Sequence, residues 1–403
     1  MSADQIGIPA VLMRGGSSKA MFFKEEDVPP PGLLRDRVLK RIMGTPDPIQ
    51  IDGMGGTRIV TSKVAIIKTS DRDDADVDYS FGQVSITEDS IRLRGNCGNI
   101  SAGVGPFAID EGLIRKPFRV GQTTAPGLLT REVRIYQTAI KKILIAHVPI
   151  DPKSGKSLSK GNFAIAAVPG TGAPILMDFR NTIGGFHDKG PLPTGHVTDV
   201  IQISGAIVSV TIMDVATLTT FVRASDLGVW DLESRQADDI TSDKELLQRC
   251  REVRGKAAQL LGMCDDWEQV DEQSLGIPSV VMVAAPPVGH SEGHITSRFI
   301  LNNMCHDSMA GTIATCTAAC SRIDGSIVRQ VAGPGGLESD EFNICHPLGV
   351  MPVKVEAAVE GRWSATISLN APEFKVLAFV RTSRRIMEGK VFIPDYIWPN
   401  GII

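Results

Sequence analysis

The sequence predicts an α+β fold built twice, with two similar halves that each wrap a sheet around one apolar helix. Three observations lead there. Short strand-like runs alternate with Gly- and Pro-rich turns, and long helices are few. The pattern restarts after a stretch rich in Gly, Pro and His at 180–196. Each half also holds one segment of small, mostly apolar residues, 99–112 and 308–322, long enough for a buried helix.

The elements follow in order. Ile8 to Met13 and Ala20 to Phe23 read as strands flanking the turn Arg14-Gly15-Gly16-Ser17-Ser18. Leu33 to Met43 has helical spacing and stops at Gly44. Ser62 to Lys68, Tyr79 to Ile86 and Ser90 to Arg94 are strand-like, and Asn99 to Gly112 is the first apolar helix. Glu132 to Gln137, Lys142 to Pro149 and Phe163 to Val168 supply further strands, with a turn at Pro169 to Gly172. The stretch 180–196 serves as a linker, which sets the domains at 1–188 and 189–403.

Val208 to Val222 then repeats the shape of Ile8 to Phe23, and aligning Phe22 with Phe221 also puts Asp27 on Asp226. A helix at about 243–262 repeats 33–43, and Val280 to Ala284 repeats Val64 to Ile67. The apolar helix of residues 308–322 repeats 99–112. Two such units facing each other make the cleft between them the expected site.

Composition narrows the function. The 403 residues are 42% hydrophobic and 22% charged, as in a globular enzyme, and the length suits two domains. A net charge of −4 offers no basic field for a phosphate backbone, which argues against nucleic acid. The longest charge-free run, Gln273 to Ser291, holds Pro278, Pro286 and Pro287 and so cannot be a clean membrane helix. No secretory leader is visible in MSADQIGIPAVLMRGG, and the seven scattered cysteines suit reduced thiols, so the expected location is cytoplasmic.

The sharpest local feature is Gly95-Asn96-Cys97-Gly98-Asn99-Ile100-Ser101, between a strand and the apolar helix. Helix-start N–H groups favour an anion, and a thiol there has its thiolate stabilised. Cys97 reads either as a functional thiol or as a buried structural cysteine. Lys63 opens an apolar strand. In a dry cleft it would act as a base; from local sequence alone it reads as an edge lysine in solvent. The loop Arg14 to Lys19 offers N–H and hydroxyl donors from Ser17 and Ser18 and suits a carboxylate, the other reading being a plain hairpin turn.

Ile51 to Gly56 does not fit a dinucleotide loop, because a strand follows and the glycine spacing is wrong. Cys305-His306 and Cys345-His346 lack metal-ligand spacing, so no metal is expected. Cys316 and Cys320 read as core packing, and Asp71 to Asp78 as a solvated charge run.

Taken together, these stretches resemble the 2-methylaconitate isomerase (PrpF) family, within the diaminopimelate epimerase-like superfamily. The matching stretches include MRGGSSKAMFF (13–23), QIDGMGG (50–56), TSKVAII (61–67), GNCGNISAGVGPFAIDEGLI (95–114), RASDLG (223–228), HPLGVMPV (346–353) and FVRTSRRIMEG (379–389). DADVDYSFGQVSI (74–86) with the 95–114 stretch is similar to the 3-methylitaconate Δ-isomerase branch.

The resemblance implies two pseudo-symmetric domains, each a mixed β-sheet or barrel around a central helix, with the active site in the interdomain cleft. It implies cofactor-free movement of a C=C bond in a small unsaturated di- or tricarboxylate, and no metal. It puts the proton-exchanging pair on Lys63 and Cys97. Substrate-binding groups fall on Ser17, Ser18, Lys19, Asn96, Gly98 and Asn99, and at a second helix start on Ser308, Met309 and Thr312.

This sequence departs from the family pattern in places. GGTSKG reads GGSSKA here, Asp-Ala-x-x-Pro reads Asp214-Val215-Ala216-Thr217-Leu218, and Ile313 stands for a glycine. The second-half counterpart of Cys97 falls near Ser308, which disfavours a two-thiol epimerase. The expected partner is a small carboxylate, with no nucleic acid or membrane, and a homo-oligomer is compatible with the sequence. Other readings are the same chemistry on a specialised biosynthetic substrate, an oxalomesaconate-type tautomerase, and a non-catalytic accessory binder.

Overall fold

The computed structural model describes residues 4–401 except 94, 124, 275, 287–291, 302, 358–373 and 400. The end of one expected strand, Arg94, and parts of the charge-free run, residues 275 and 287–291, lie outside the described residues. The chain divides into two units: Met1–Met177 with Val380–Ile403, and Asp178–Phe379.

In the first unit, β1 (Gln5–Gly15) turns tightly into β2 (Ser18–Lys24). A one-turn helix at Glu25–Asp27 and helix α1 (Leu33–Met43) lead to β3 (Lys63–Thr69) and β4 (Val77–Val84). The short β5 (Ile91–Arg92) precedes helix α2 (Gly98–Asp110). Then come β6 (Thr130–Gln137), β7 (Lys142–Pro149) and β8 (Ile175–Asp178), the last ending at the unit border. The final strand of the chain, β18 (Ser383–Pro394), returns to pair antiparallel with β1.

β2 is buried on both faces because a helix covers each. Met21 and Phe23 join α1 residues Val38, Leu39, Ile42 and Met43 in one core. Phe22 points the other way, its ring centroid 5.6 Å from that of Phe107 on α2. Residues 98–109 of α2 are all buried, and the helix packs against β1, β2, β3, β6, β7 and β18.

The second unit runs β9 (Asp199–Ile203), β10 (Ala206–Val215) and β11 (Thr217–Arg223). Helices α3 (Ala237–Ser242), α4 (Lys244–Leu260) and α5 (Val270–Gln273) follow. Then come β12 (Ser279–Ala284), β13 (Ile295–Leu301) and β14 (Met304–Cys305), before helices α6 (Gly311–Cys320), α7 (Ile327–Val331) and α8 (Pro334–Glu338). Strands β15 (Glu341–His346), β16 (Gly349–Ala357) and β17 (Phe374–Arg381) close it, β17 crossing the border at its last two residues.

The duplication is exact in strand orientation. The ladder β18·β1·β2·β3·β4·β6·β7 runs antiparallel, antiparallel, parallel, antiparallel, parallel, antiparallel. The ladder β9·β10·β11·β12·β13·β15·β16 has the same order of orientations. Phe22 and Phe221 occupy equivalent strands, opposite Ala65 and Val281 on the parallel neighbour. Asp27 and Asp226 both sit in a one-turn helix after that strand. Helix α4 packs on its sheet through Leu246, Leu247, Cys250, Val253 and Ala257, as α1 does on the first.

Several expectations are corrected. The boundary does not lie between 188 and 189, because eleven β1 residues find partners in β18 and draw the C-terminal segment back to the first unit. Residues 180–196 are not a linker but part of the second unit. Asp214, fully buried, accepts the N–H groups of Phe186 and His187, both at 2.9 Å, and Gly184 N–H donates to its carbonyl.

Phe163 to Val168 makes only a single bridge, Phe163 to Gly172. Val208 to Val222, by contrast, forms two antiparallel strands about a turn at Ala216 with φ 60°, the strand–turn–strand shape expected from its likeness to Ile8 to Phe23. The charge run 71–78 is not wholly solvated: Asp76 is buried, accepts Arg134 N–H at 2.7 Å and pairs with Arg119.

Candidate active site

Helix α2 places Cys97 as its N-cap, in extended geometry, with Gly98 and Asn99 as its first residues. The Cys97 carbonyl accepts both the N–H and the Oγ–H of Ser101, each at 2.9 Å. The Ser101 hydroxyl also lies 3.3 Å from Asn96 Oδ1. The thiol is free and half-buried. The thiol therefore sits at the end of a buried helix where the first backbone N–H groups lack intrahelical partners.

Lys63 is not an edge lysine in solvent. It opens β3 and is 6% exposed, because α2 covers the face of the sheet on which it lies. Its amine donates to Gln83 Oε1 and sits 5.2 Å from the centre of the Phe81 ring. Burial lowers its pKa below the ordinary lysine range, while the Cys97 side chain acts to raise it. Both residues belong to the part of the first unit where α2 meets the sheet.

Two further buried groups belong to the same unit. Burial holds the Arg381 guanidinium down to about 10, and Cys97 opposes that shift. Burial pushes the Tyr79 phenol well up, with Cys97 adding to the rise and Ser101 opposing it. The first unit thus holds a buried amine, a buried guanidinium and a buried phenol.

The carboxylate-type loop packs beside the helix start. Arg381 Nε donates to Asn99 Oδ1 at 3.0 Å, and Asn99 Nδ2 donates to Ser17 Oγ at 3.1 Å. Since that oxygen accepts from Asn99, the Ser17 hydroxyl proton is left to donate outward. The loop is clamped by Gly16 N–H to Thr382 O at 2.9 Å, and by Arg14, which reaches Gly16 O at 2.8 Å and Thr382 O at 2.9 Å. Gly16 has φ 51°, and a Cβ there would lie 2.3 Å from Asn99 Oδ1, so only glycine fits. Ser18 is buried, and Lys19 is half-buried with its N–H on Val60 O at 2.8 Å.

Lys63, Cys97, Asn96, Gly98, Asn99, Ser17, Ser18 and Lys19 all belong to the first unit, and Ser308, Met309 and Thr312 to the second. There the helix begins at Gly311 with Ala310 as N-cap, so Ser308 precedes it rather than starting it. Ala310, not Ser308, is the positional equivalent of Cys97, and it carries no thiol. Ser308 N–H donates to His306 Nδ1 at 3.0 Å, and Met309 is buried with its sulfur 3.9 Å from Ser297 Oγ. Thr312 is the second helical residue and is buried. Ile313 is packed into the core of its unit.

Sequence reasoning missed Arg381, Gln83 and Tyr79. Arg381 stood inside FVRTSRRIMEG without a local mark of function. Gln83 becomes visible only through the register that sets it opposite Lys63.

Comparison with known proteins identifies the family. The sequence pattern of the family described as PrpF protein matches residues 5–394. A 3-methylitaconate isomerase of Eubacterium barkeri is 40% identical over 97% of this chain and 98% of its own. A 4-oxalomesaconate tautomerase of Pseudomonas putida and a 2-methyl-aconitate isomerase of Shewanella oneidensis are each 34% identical, over 98% and 97% of this chain and 98% of theirs.

Among solved structures, a methylitaconate-delta-isomerase superposes with a TM-score of 0.76 at 38% identity, over 98% of this chain and 97% of that one. A hydroxyproline epimerase from Agrobacterium vitis gives 0.51 at 13% identity, over 98% and 94%, a likeness of fold alone. No helix among the described residues is long and apolar enough to cross a membrane.

Proposed function

The chain belongs to the PrpF protein family and is an isomerase, and from that premise we propose that it shifts a C=C bond in a small unsaturated di- or tricarboxylate, Lys63 and Cys97 passing the proton without a cofactor. The observation that carries the reading is a buried amine on β3, beneath the helix α2 whose N-cap is a half-buried free thiol.

An allylic C–H bond beside the activated double bond breaks. Its proton goes to one of the pair, and the electrons pass into a dienolate whose charge rests on the conjugated carboxylate. The other group returns a proton to the far carbon of the original double bond, two bonds away, and the double bond reforms one position over. Running the reaction backwards exchanges the two roles. The Gly98 and Asn99 N–H groups, the Ser17 hydroxyl and the Arg381 guanidinium would hold the developing negative charge. We place the enzyme in the cytoplasm, which its seven free cysteines suit.

Methylitaconate is the first substrate to try, because the relative at 40% identity carries that name. Oxalomesaconate is the second reading, favoured by relatives at 34% named for it. Ultraviolet absorbance with methylitaconate, methylaconitate, aconitate and oxalomesaconate tests both. Turnover of one of the first three supports the first reading, and turnover of oxalomesaconate alone supports the second. Binding without turnover of any would make the protein a binder instead.

A further inference from the structure

We propose that Gln83 is a positioning residue, which sets the direction and the proton affinity of the Lys63 amine by presenting a neutral, immobilised acceptor. Its consequence for catalysis rests on the proton-transfer reading above, while the inference itself stands on geometry.

Lys63 and Gln83 are direct partners in the antiparallel β3·β4 ladder, so their side chains leave the sheet on one face. The amine donates to Gln83 Oε1. The other end of the amide is tied down, with Nε2 donating to Ser62 O at 2.9 Å and to Ile59 O at 3.2 Å. Rotating the amide would set its NH₂ against the amine and leave both carbonyls without this donor. The oxygen is therefore held facing Lys63.

This arrangement has two effects. First, one N–H of the amine is committed to β4, so the lone pair of the neutral amine is kept off that bond and away from Gln83. Second, an amide oxygen accepts a hydrogen bond without bringing a full negative charge. A carboxylate in its place would form an ion pair and draw the buried amine back towards the ordinary lysine range.

The surroundings agree with this. On β4 the neighbours of the amine are Gln83 and the Phe81 ring, both uncharged. From α2, Cys97 is the titratable group that acts on it among the described residues. The acidic turn Glu25–Asp27 meets β3 at its far end, where Glu25 pairs with Lys68.

The test compares the full-length protein with Gln83→Glu and Gln83→Met. One readout is the pH profile of kcat/KM for the double-bond shift. The other is direct titration of the Lys63 amine, by competitive labelling with acetic anhydride across pH and peptide mass spectrometry. In Gln83→Glu the Lys63 midpoint rises by about one pH unit or more, and one limb of the profile moves with it. In Gln83→Met the midpoint falls, and kcat drops about tenfold with KM nearly unchanged, because the amine is no longer held.

If the midpoint moves but neither limb follows, Gln83 tunes Lys63 as proposed and the proton-transfer reading fails. If the midpoint stays put in both variants while Lys63→Ala is inactive, the inference is overturned and that reading stands. Should Gln83→Glu not fold, the fall in Gln83→Met decides alone.

Discussion

At the scale of the residue, the site works through differences in burial among like groups. Six of the seven cysteines are buried, and burial pushes Cys250, Cys305 and Cys320 up to about 12. Cys97 alone is half-buried, at a helix start. Iodoacetamide at neutral pH should therefore alkylate Cys97 first, and loss of isomerase activity should track that one peptide by mass spectrometry. The sequence singled out Cys97 because its motif is local. Lys63 was ambiguous, since whether a lysine opening a strand is dry depends on α2, more than thirty positions later in the chain.

At the scale of the element, two helix types do different work. The outer helices α1 and α4 have one apolar face, and their periodicity made them readable to within a residue or two. The inner helices α2 and α6 are buried throughout, so their small residues are fitted to neighbours rather than to a period. At Gly311 a Cβ would lie 2.3 Å from the Phe379 ring. Gly311→Ala should cost about 1–3 kcal/mol in urea unfolding. Gly335→Ala, at an exposed position of α8 where an added Cβ meets nothing, should be neutral or stabilise by up to about 1 kcal/mol. Short helices such as α7 and α8 escaped the sequence because five residues hold too little pattern.

At the scale of the whole molecule, the duplication was legible and the border was not. Repeated order of strand and helix is a pattern along the chain. The return of β18 to β1 is a pairing between opposite ends of it, which no window of residues contains. The same return delivers Arg381 and Thr382 to the loop at Gly16. Deleting residues 380–403 should leave Gln5 to Ala10 without the partner strand they have here. Amide exchange across residues 5–15 should then quicken by about tenfold or more, and activity should vanish.

The central claim is that the amine of Lys63 and the thiol of Cys97 pass the proton between them. Turnover of the preferred acid in deuterated water tests it, with wild type, Lys63→Ala and Cys97→Ser compared by mass spectrometry of substrate and product. The account predicts label at the reacting carbons with wild type, and at least a hundredfold loss of isomerisation with each folded variant, as expected of about 2.7 kcal/mol or more of lost transition-state stabilisation. A Lys63→Ala protein that isomerises and labels at the wild-type rate would contradict it.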